Sequence, residues 1–474
     1  MKANDMAEFR REKDALGEVS IPAGRYWGAQ TERARHLFQI GDQRLDFRVI
    51  RAMGTQKWVA AAANQRLGLL PENLSAPIQQ AAAEIELGLH DAEFPLPIWQ
   101  TGSGTQTNMN ANEVIANRAN EFLGQALGAR YPVHPNDHVN LCQSSNDSFP
   151  TVMHIAALAV LRHELLPGLA VLHAALAAKA AEWRDIVKLG RTHLMDAVPI
   201  TLGMECETWA LQVERNIARI SQAISDVLLL PQGGTAAGSG LNRHPDFDRL
   251  FCSILAERTG EAFAPLTEKS EAMAAHDALV ALSGDLNTAA VSLTKIANDI
   301  RLLGSGPRSG FAELILPDDG LSSSIMPGKT NATQAEALSM VAARVMGNHA
   351  AITIAGAQGH LQLNVFKPLI IQCVLESASL MGAAARSFAE HMVTKLHPNL
   401  PRIAENLAKS PMLVTALAPV IGYDRAVEIA KHALAQNLTL RAAALELGSV
   451  SAAEFDRLVR PETMISPSLS DRKA

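Results

Sequence analysis

The sequence is poor in aromatic residues and in cysteine. Aromatic side chains make up 4% of the 474 residues, whereas alanine and leucine are abundant. This composition favours close-packed helices, because strands are enriched in aromatic and β-branched residues. The four cysteines, Cys142, Cys206, Cys252 and Cys373, lie far apart and form no C-x-x-C pair. They predict reduced thiols in a reducing compartment, with neither a disulfide framework nor a structural zinc site.

An excess of positive charge is also missing. The formal net charge is -6, so nucleic acid, which binds basic surfaces, is not an expected partner. No continuous run of about 18 apolar residues occurs, so no segment is expected to span a membrane. The N-terminal sequence MKANDMAEFRREKDALG lacks the apolar core of a signal peptide. These features predict a protein without membrane contact, located in the cytoplasm.

Apolar residues recur in steps of three and four along five long segments. Leucines take these steps from Leu158 to Leu176, and mixed apolar residues do so from Leu202 to Ile224. This spacing predicts amphipathic helices. At a rise of 1.5 Å per residue, such segments form a bundle about 40 Å long. The five predicted helices cover residues 151–185, 202–224, 279–303, 334–357 and 367–393.

Glycine and proline are concentrated on either side of these segments. They interrupt the first part of the chain and predict shorter helices joined by loops. After residues 396–401 the sequence is again helical, with Gly422 and Gly448 as predicted helix ends. The sequence therefore predicts an all-α fold, in which an elongated five-helix bundle is flanked by smaller, mostly helical domains. The predicted domains are residues 1–141, 142–400 and 401–474.

Polar, glycine-rich clusters interrupt the apolar chain in four places, at residues 99–110, 134–147, 190–199 and 322–337. Loops on a rigid scaffold often carry functional residues. In the fourth cluster, Lys329 and Asn331 precede a predicted helix that begins near Thr333. A carboxylate there would meet a cation, an amide donor and the positive end of a helix. The alternative is an ordinary capping box between Thr333 and Glu336.

The four clusters, in this order, resemble the fumarase/aspartase superfamily and, within it, the class II fumarases. The resemblance extends from WGAQT at residues 27–31 to VRPETM at residues 459–464. It implies reversible hydration of fumarate to (S)-malate, a step of the tricarboxylic acid cycle. The implied chemistry is metal-independent acid/base catalysis through an aci-carboxylate intermediate, with no cofactor. It also implies a homotetramer whose active sites are shared between subunits.

The resemblance also implies roles for individual residues. Ser323 takes the carbon proton, while Glu336 pairs with His193, which lies in a turn before the helix that follows Pro199 and exchanges a proton with the hydroxyl. A lone histidine in such a turn is more often a polar loop residue, so the catalytic role of His193 is predicted from the resemblance alone. The substrate-binding residues implied are Ser103, Gly104, Thr105, Ser144, Ser145, Asn146, Thr192, Ser324, Lys329 and Asn331.

A second, non-catalytic dicarboxylate site is implied at His134, Pro135, Asn136 and Asp137. Members of the family often have an arginine three residues before the histidine. Here that position is Tyr131, with Arg130 beside it. For the neighbouring Ser-Ser-Asn-Asp motif, the alternative to substrate binding is a simple helix N-cap.

Three residues of the fourth cluster depart from the family pattern Gly-Ser-Ser-Ile-Met-Pro-Gly-Lys-Val-Asn-Pro. Ser322, Thr330 and Ala332 replace glycine, valine and proline. Losing glycine stiffens a loop and losing proline has the opposite effect, so these changes alter the loop in opposing ways.

Two alternatives to a hydratase remain open. An aspartate ammonia-lyase has the same scaffold, and His138 is the one residue that favours it, whereas Met-Pro-Gly-Lys and Met153-His154 favour a fumarase. A catalytically silent helical scaffold is opposed by the intact set of Ser323, Lys329, Asn331, Glu336 and His193.

Overall fold

The computed structural model describes residues 9–14, 16–320 and 325–467. Helices dominate these residues, and the strands among them form two-stranded pairs. The predicted all-α fold is therefore confirmed. One of these pairs, formed by residues 187–201, presents the candidate catalytic residue His193.

The N-terminal segment begins with a β-hairpin that the sequence did not predict. Its strands, β1 (Phe9–Asp14) and β2 (Gly17–Pro22), pair in antiparallel register, Phe9 opposite Pro22. The partly covered residues of β1 alternate with exposed ones, but charged side chains supply most of both faces, so no hydrophobic periodicity marked the strand. The helices that follow are α1 (Ala29–Leu37), α2 (Phe47–Arg66), α3 (Glu72–Glu86) and α4 (Thr105–Phe122).

Long helices form in all five segments where apolar periodicity predicted them. The first is α5 (Ser145–Val160), which continues through a π-helical turn, Leu161–Leu165, into α6 (Leu166–Glu182). The elements that follow are β3 (Val187–Thr192), β4 (Met195–Thr201), α7 (Leu202–Val227), β5 (Leu229–Leu230), α8 (Phe247–Thr259), β6 (Ala264–Pro265), α9 (Glu271–Ala274), α10 (Asp277–Leu303), β7 (Leu314–Ile315), α11 (Thr333–Gly356), β8 (Gly359–His360), β9 (Leu363–Asn364) and α12 (Lys367–His391).

The C-terminal segment has a hydrophobic cluster of its own. Leu417, Ile429, Ala443 and Phe455 are buried together there, so these short helices stabilise one another by packing. The elements are β10 (His397–Pro398), which pairs with β7, and α13 (Leu400–Lys409), α14 (Ala418–Ile421), α15 (Tyr423–Gln436), α16 (Leu440–Glu446) and α17 (Ala452–Leu458).

Contacts divide the chain into two compact units. The first comprises Met1–Pro167, Ala218–Ala290 and Val341–Gly382, and the second comprises Gly168–Ile217, Val291–Met340 and Ala383–Ala474. The boundaries fall inside the long helices, so sequence-adjacent residues of one helix belong to different units. The division into three domains stays a prediction.

Two helical stretches, Ser145–Glu182 and Lys367–Lys395, are long and apolar enough to cross a membrane by length and composition alone. However, 56% and 61% of their most apolar windows are buried inside the protein. Core helices of soluble proteins have the same properties, so the stretches are weak evidence for a membrane location. The absence of membrane contact and the cytoplasmic location stay predictions.

Candidate active site

Two of the predicted substrate-binding segments converge within the first unit. The hydroxyl of Ser103 lies 2.8 Å from that of Thr105, which in turn lies 2.8 Å from the hydroxyl of Ser145. Thr105 is the first residue of α4 and Ser145 is the first residue of α5, so two helix N-termini meet at this chain of hydroxyls. Helix N-termini favour anions, because their first N–H groups and the helix dipole point outwards. The arrangement suits a carboxylate.

Glycines allow the first of these segments its close approach. Gly104 has φ of +74° and precedes α4, and a Cβ atom there would lie 2.3 Å from the ring of Phe149. At Gly102 a Cβ atom would lie 1.2 Å from the carbonyl oxygen of Val365. Any larger residue at either position would therefore displace the loop that holds Ser103 and Thr105.

The Ser-Ser-Asn-Asp motif is a helix N-cap, as its alternative interpretation predicted. Ser144 Oγ accepts a hydrogen bond from the Asn146 amide at 3.2 Å, and Asp147 Oδ1 accepts from the Ser144 amide at 2.9 Å. The two interpretations are compatible, because a hydroxyl that accepts one hydrogen bond still has its own proton to donate. Asn146 is held as well, since its Nδ2 donates to the carbonyl of Ala236 at 2.9 Å.

His193 lies at the tip of a β-hairpin in the second unit. Thr192 at the end of β3 pairs with Met195 at the start of β4, leaving His193 and Leu194 as a two-residue turn. Both have positive φ, 56° and 61°, where hairpins normally use asparagine and glycine. Such conformations cost about 1–3 kcal/mol each and often occur at functional sites. The predicted turn before α7 is therefore confirmed, and it exposes Thr192 and His193 to solvent.

A buried charge network fixes the base of this hairpin. Glu313 has no exposed side-chain surface, and it forms ion pairs with Lys188 at 2.9 Å and Arg191 at 2.7 Å. Lys188 also contacts Glu205 of α7 at 2.7 Å, and Asn406 of α13 donates to Glu313 at 3.0 Å. Burial acts to raise the pKa of Glu313, but Arg191 and Lys188 outweigh it and hold that pKa below its usual value. Three segments, which carry Glu205, Glu313 and Asn406, are thus tied to the strand that precedes His193.

The fourth polar cluster, residues 322–337, reaches α11 through a tight turn in its described part. The amide of Lys329 donates to the carbonyl of Met326 at 3.2 Å, with Gly328 at φ of +79°, and the Lys329 side chain is exposed. Pro-Gly at the central positions and this φ indicate a type II turn. Asn331 is partly covered and lies two residues before α11. The catalytic candidate Ser323 and the binding candidate Ser324 lie outside the described residues.

The capping-box alternative for this segment is wrong. Thr333 is the first residue of α11, and its hydroxyl donates to Asp319. The carbonyl of Ala332 accepts from the Glu336 amide at 3.0 Å, which places Ala332 at the N-cap position instead. The Glu336 side chain is exposed. Within the part of the chain that the structure describes, neither Glu336 nor His193 forms an ion pair, so their predicted pairing stays a prediction.

Arg130 contacts the histidine of the predicted accessory motif. Its Nη2 lies 3.0 Å from His134 Nε2, while His134 Nδ1 faces the amides of Asn136 and Asp137 at 3.3 and 3.2 Å. Burial lowers the pKa of His134, and nearby Arg130 lowers it further, while Asp137 opposes them. The Asp137 carboxylate also lies 3.2 Å from Nδ1, so N–H donors and one carboxylate face the ring together. Pro135 is buried at the start of this turn.

His138, the residue that favours an ammonia-lyase, has a local structural role. Its Nδ1 accepts from the His134 amide at 2.9 Å and so closes the turn Pro135–Val139. That contact accounts for His138 without a substrate.

Comparisons with known proteins agree on one family. Residues 17–347 match the Lyase family, and residues 413–466 match the family Fumarase C C-terminus. Fumarate hydratase class II 2 of Bradyrhizobium diazoefficiens is 54% identical over 97% of both chains. Mitochondrial fumarate hydratase of Danio rerio is also 54% identical, over 97% of this chain and 90% of that protein. The chain belongs to the class II fumarate hydratases. The crystal structure of class II fumarase from Schistosoma mansoni superposes with a TM-score of 0.94 at 41% identity, covering 96% of this chain and 99% of that one.

Sequence reasoning gave no role to the buried residues beneath Ser144, apart from the N-cap role of the motif that contains Asp147. Lys57 of α2 and Asp147 of α5 are fully buried there, together with Gln56 and Gln232. One signal was available for Lys57, because it follows Val49 and Met53 at steps of four on the apolar face of α2. A lysine at such a position is rarely buried without a reason.

Proposed function

We propose that this chain catalyses the reversible hydration of fumarate to (S)-malate. The observation that carries the proposal is the pair of helix N-termini joined by the hydroxyls of Ser103, Thr105 and Ser145, in a chain that belongs to the class II fumarate hydratases. Fumarate has a carboxylate at each end. One site of this kind binds one carboxylate, and Lys329 and Asn331 are suited to the other.

The chemical step needs stabilisation of a second negative charge. Removing the proton next to a carboxylate of malate creates a doubly charged aci-carboxylate, which water alone stabilises poorly. Preorganised donors and cations lower the energy of such an intermediate without reorganising during the reaction. Lys329, Asn331 and the two helix N-termini are the groups of this chain suited to that task, and we assign it to them.

Proton transfer is assigned to Ser323 and His193. In the direction of dehydration, Ser323 accepts the carbon proton, and the hydroxyl leaves as water with a proton from His193. Positioned acid and base groups contribute about 10²–10⁴-fold to such reactions. Serine is a weak base, so Ser323 depends on activation by its surroundings. Glu336 is assigned as the hydrogen-bond partner of His193, and it would fix the tautomer and orientation of that imidazole.

The complete site is assigned to a homotetramer, with residues 144–146, 192–193 and 323–336 contributed by different subunits. Large apolar side chains support an extensive interface, because Val291, Met340 and Ile354 are 54%, 69% and 65% exposed in the single chain. At the hairpin tip, Leu194 and Met195 are 66% and 70% exposed beside His193. Exposure of this kind is expected where another subunit covers the tip.

An activity measurement tests the proposed function. Purified protein with a chelator present is given fumarate, with and without ammonium, and products are separated by chromatography. We expect malate at equal rates in both conditions, because hydration needs no ammonium. Aspartate as the product, or activity only after iron is added, would contradict the proposal and favour a different enzyme of carbon–oxygen or carbon–nitrogen cleavage.

The accessory dicarboxylate site is assigned to His134, Asn136 and Asp137, together with Arg130, whose donors converge there. His134→Asn is expected to leave both kcat and KM within about twofold of the original, since the residue takes no part in the transition state. Calorimetry with malate should show that the variant has lost one class of binding sites. A collapse of kcat would instead place His134 in the active site.

A further inference from the structure

A buried lysine and a buried aspartate lie beneath the proposed carboxylate site. Lys57 and Asp147 are both fully shielded from solvent in the first unit. Burial lowers the pKa of Lys57 to about 7, against the opposing charge of Asp147. Burial also raises the pKa of Asp147 to about 6, against its backbone hydrogen bonds and Lys57. Burying ionisable groups is unfavourable unless other groups bind them, so their contacts indicate what they do.

The contacts of Lys57 lead to the residue before Ser144. Its ammonium donates to Gln143 Oε1 at 2.8 Å and to Asn140 Oδ1 at 3.1 Å. The other end of the Gln143 amide is held too, because Nε2 donates to the carbonyls of Val139 and Leu141 at 3.1 and 3.0 Å. Gln143 is therefore fixed in one orientation, and with it the peptide that enters the N-cap of α5.

The contacts of Asp147 hold the same segment from its other side. One carboxylate oxygen accepts from the Ser144 amide at 2.9 Å, and the other accepts from the amides of Gly233 and Thr235, each at 2.9 Å. The residue after Thr235 is Ala236, whose carbonyl receives the Asn146 side chain. Asp147 thus holds the N-cap residue Ser144 and also the segment whose carbonyl accepts from the Asn146 side chain.

Neutral amides join the two charges. Gln56 Nε2 donates to Gln143 Oε1 at 3.0 Å and to Gln232 Oε1 at 2.9 Å, and Gln232 Nε2 reaches Asp147 at 3.3 Å. The ammonium of Lys57 therefore contacts amide oxygens. Asp147, which is connected to it only through this bridge, compensates its positive charge in part. In a dry interior such a charge acts over longer distances than in water.

We infer that Lys57 is a positioning residue of the carboxylate site. Through Gln143 it holds residues 144–146 in the orientation that binds a substrate carboxylate, and its buried charge adds to the attraction of the dianion. The inference rests on the proposed function and extends it to a residue that touches no substrate.

The test compares two buried lysines of the same unit. Lys57→Met keeps the length of the side chain and removes its charge. Because the Lys57 ammonium donates to the neutral amides of Asn140 and Gln143, the substitution leaves no directly paired carboxylate behind. Lys269→Met is the matched control, because Lys269 is also buried but pairs directly with Asp248 at 2.6 Å. For Lys57→Met we expect KM for fumarate to rise about tenfold or more with kcat changed less than about threefold, since weakened binding acts mainly on KM. Lys269→Met should leave KM unchanged.

The dependence of KM on pH provides a readout that loss of packing would not change. Asp147 is the charged group that acts on Lys57, and the groups that contact Lys57 directly, Asn140 and Gln143, are neutral amides. Lys57 loses its proton as the pH rises through about 7, so KM of the original protein should increase above that pH. In Lys57→Met this increase should be absent.

Gln143→Met keeps the test decisive if Lys57→Met does not fold. It removes the group through which Lys57 acts, and it should raise KM in the same direction. An unchanged KM in a folded Lys57→Met or Gln143→Met protein would overturn the inference, as would equal losses of kcat and folded fraction. If the original protein itself forms no malate in the same assay, the proposed function fails, whichever result the variants give.

Discussion

Ser323→Ala is expected to reduce turnover about 10²–10⁴-fold while leaving the protein folded, because a proton acceptor acts mainly in the transition state. Fumarate or malate should bind the variant with nearly the original affinity, since the hydroxyls of Ser103, Thr105 and Ser145 and the cation of Lys329 remain. The measurements are kcat from steady-state hydration and affinity from calorimetry. Together they separate a loss of chemistry from a loss of binding.

Ser253→Ala is the control for this prediction, since Ser253 is an exposed serine of α8 in the first unit. It should leave kcat unchanged. Near-normal turnover in Ser323→Ala would refute the assignment of the carbon proton to Ser323, and attention would turn to His193. A large loss of affinity instead would make Ser323 a binding residue.

Activity is expected to return when two inactive variants are reassembled together. Ser323→Ala and His193→Asn proteins are each unfolded, mixed in equal amounts and refolded. If each site draws Ser323 and His193 from different subunits, random assembly leaves roughly a quarter of the sites with both groups intact. Recovery towards a quarter of the original specific activity therefore supports a shared site. One of the two variants is labelled with ¹⁵N, so that mixed tetramers can be identified by mass under native conditions.

A second mixture serves as the control. The original protein is reassembled with the double variant that carries both Ser323→Ala and His193→Asn. For shared sites this mixture also gives roughly a quarter of the original activity, whereas residues on one chain would give roughly a half. No recovery in the first mixture, together with a half in the second, would place Ser323 and His193 in one subunit.

The long helices were predictable because local apolar spacing determines them. Helices α7, α10 and α12 begin and end within a few residues of the predicted segments, since one buried face leaves a periodic trace in the sequence. The start of α5 was predictable as well, because the capping residues Ser144 and Asp147 lie within one helical turn. Such signals involve neighbours along the chain.

Features that depend on distant residues were not predictable. The hairpin of β3 and β4 has His193 and Leu194 in its turn, without the Asn-Gly signal, and tertiary contacts at Glu313 stabilise it instead. The support of residues 144–146 joins Lys57 to Gln143 and Gln56 to Gln232, pairs that are 86 and 176 residues apart. No local pattern connects residues at such separations. The prediction of Thr333 as the N-cap of α11 was wrong for another reason, because the Thr333 hydroxyl donates to Asp319 instead.

The network around Glu313 has a consequence for a chain that is still being synthesised. The hairpin that presents His193 is complete once residue 201 has left the ribosome, but Glu313 follows Arg191 by 122 residues. Asn406, the next ligand of that carboxylate, comes a further 93 residues later. Until residue 313 emerges, Arg191 lacks the carboxylate that it binds in the finished fold, and Lys188 has Glu205 as its carboxylate partner. The hairpin that presents His193 therefore reaches its final geometry only after residue 313 has been added, and a nascent chain released earlier lacks the carboxylate that pairs with Arg191.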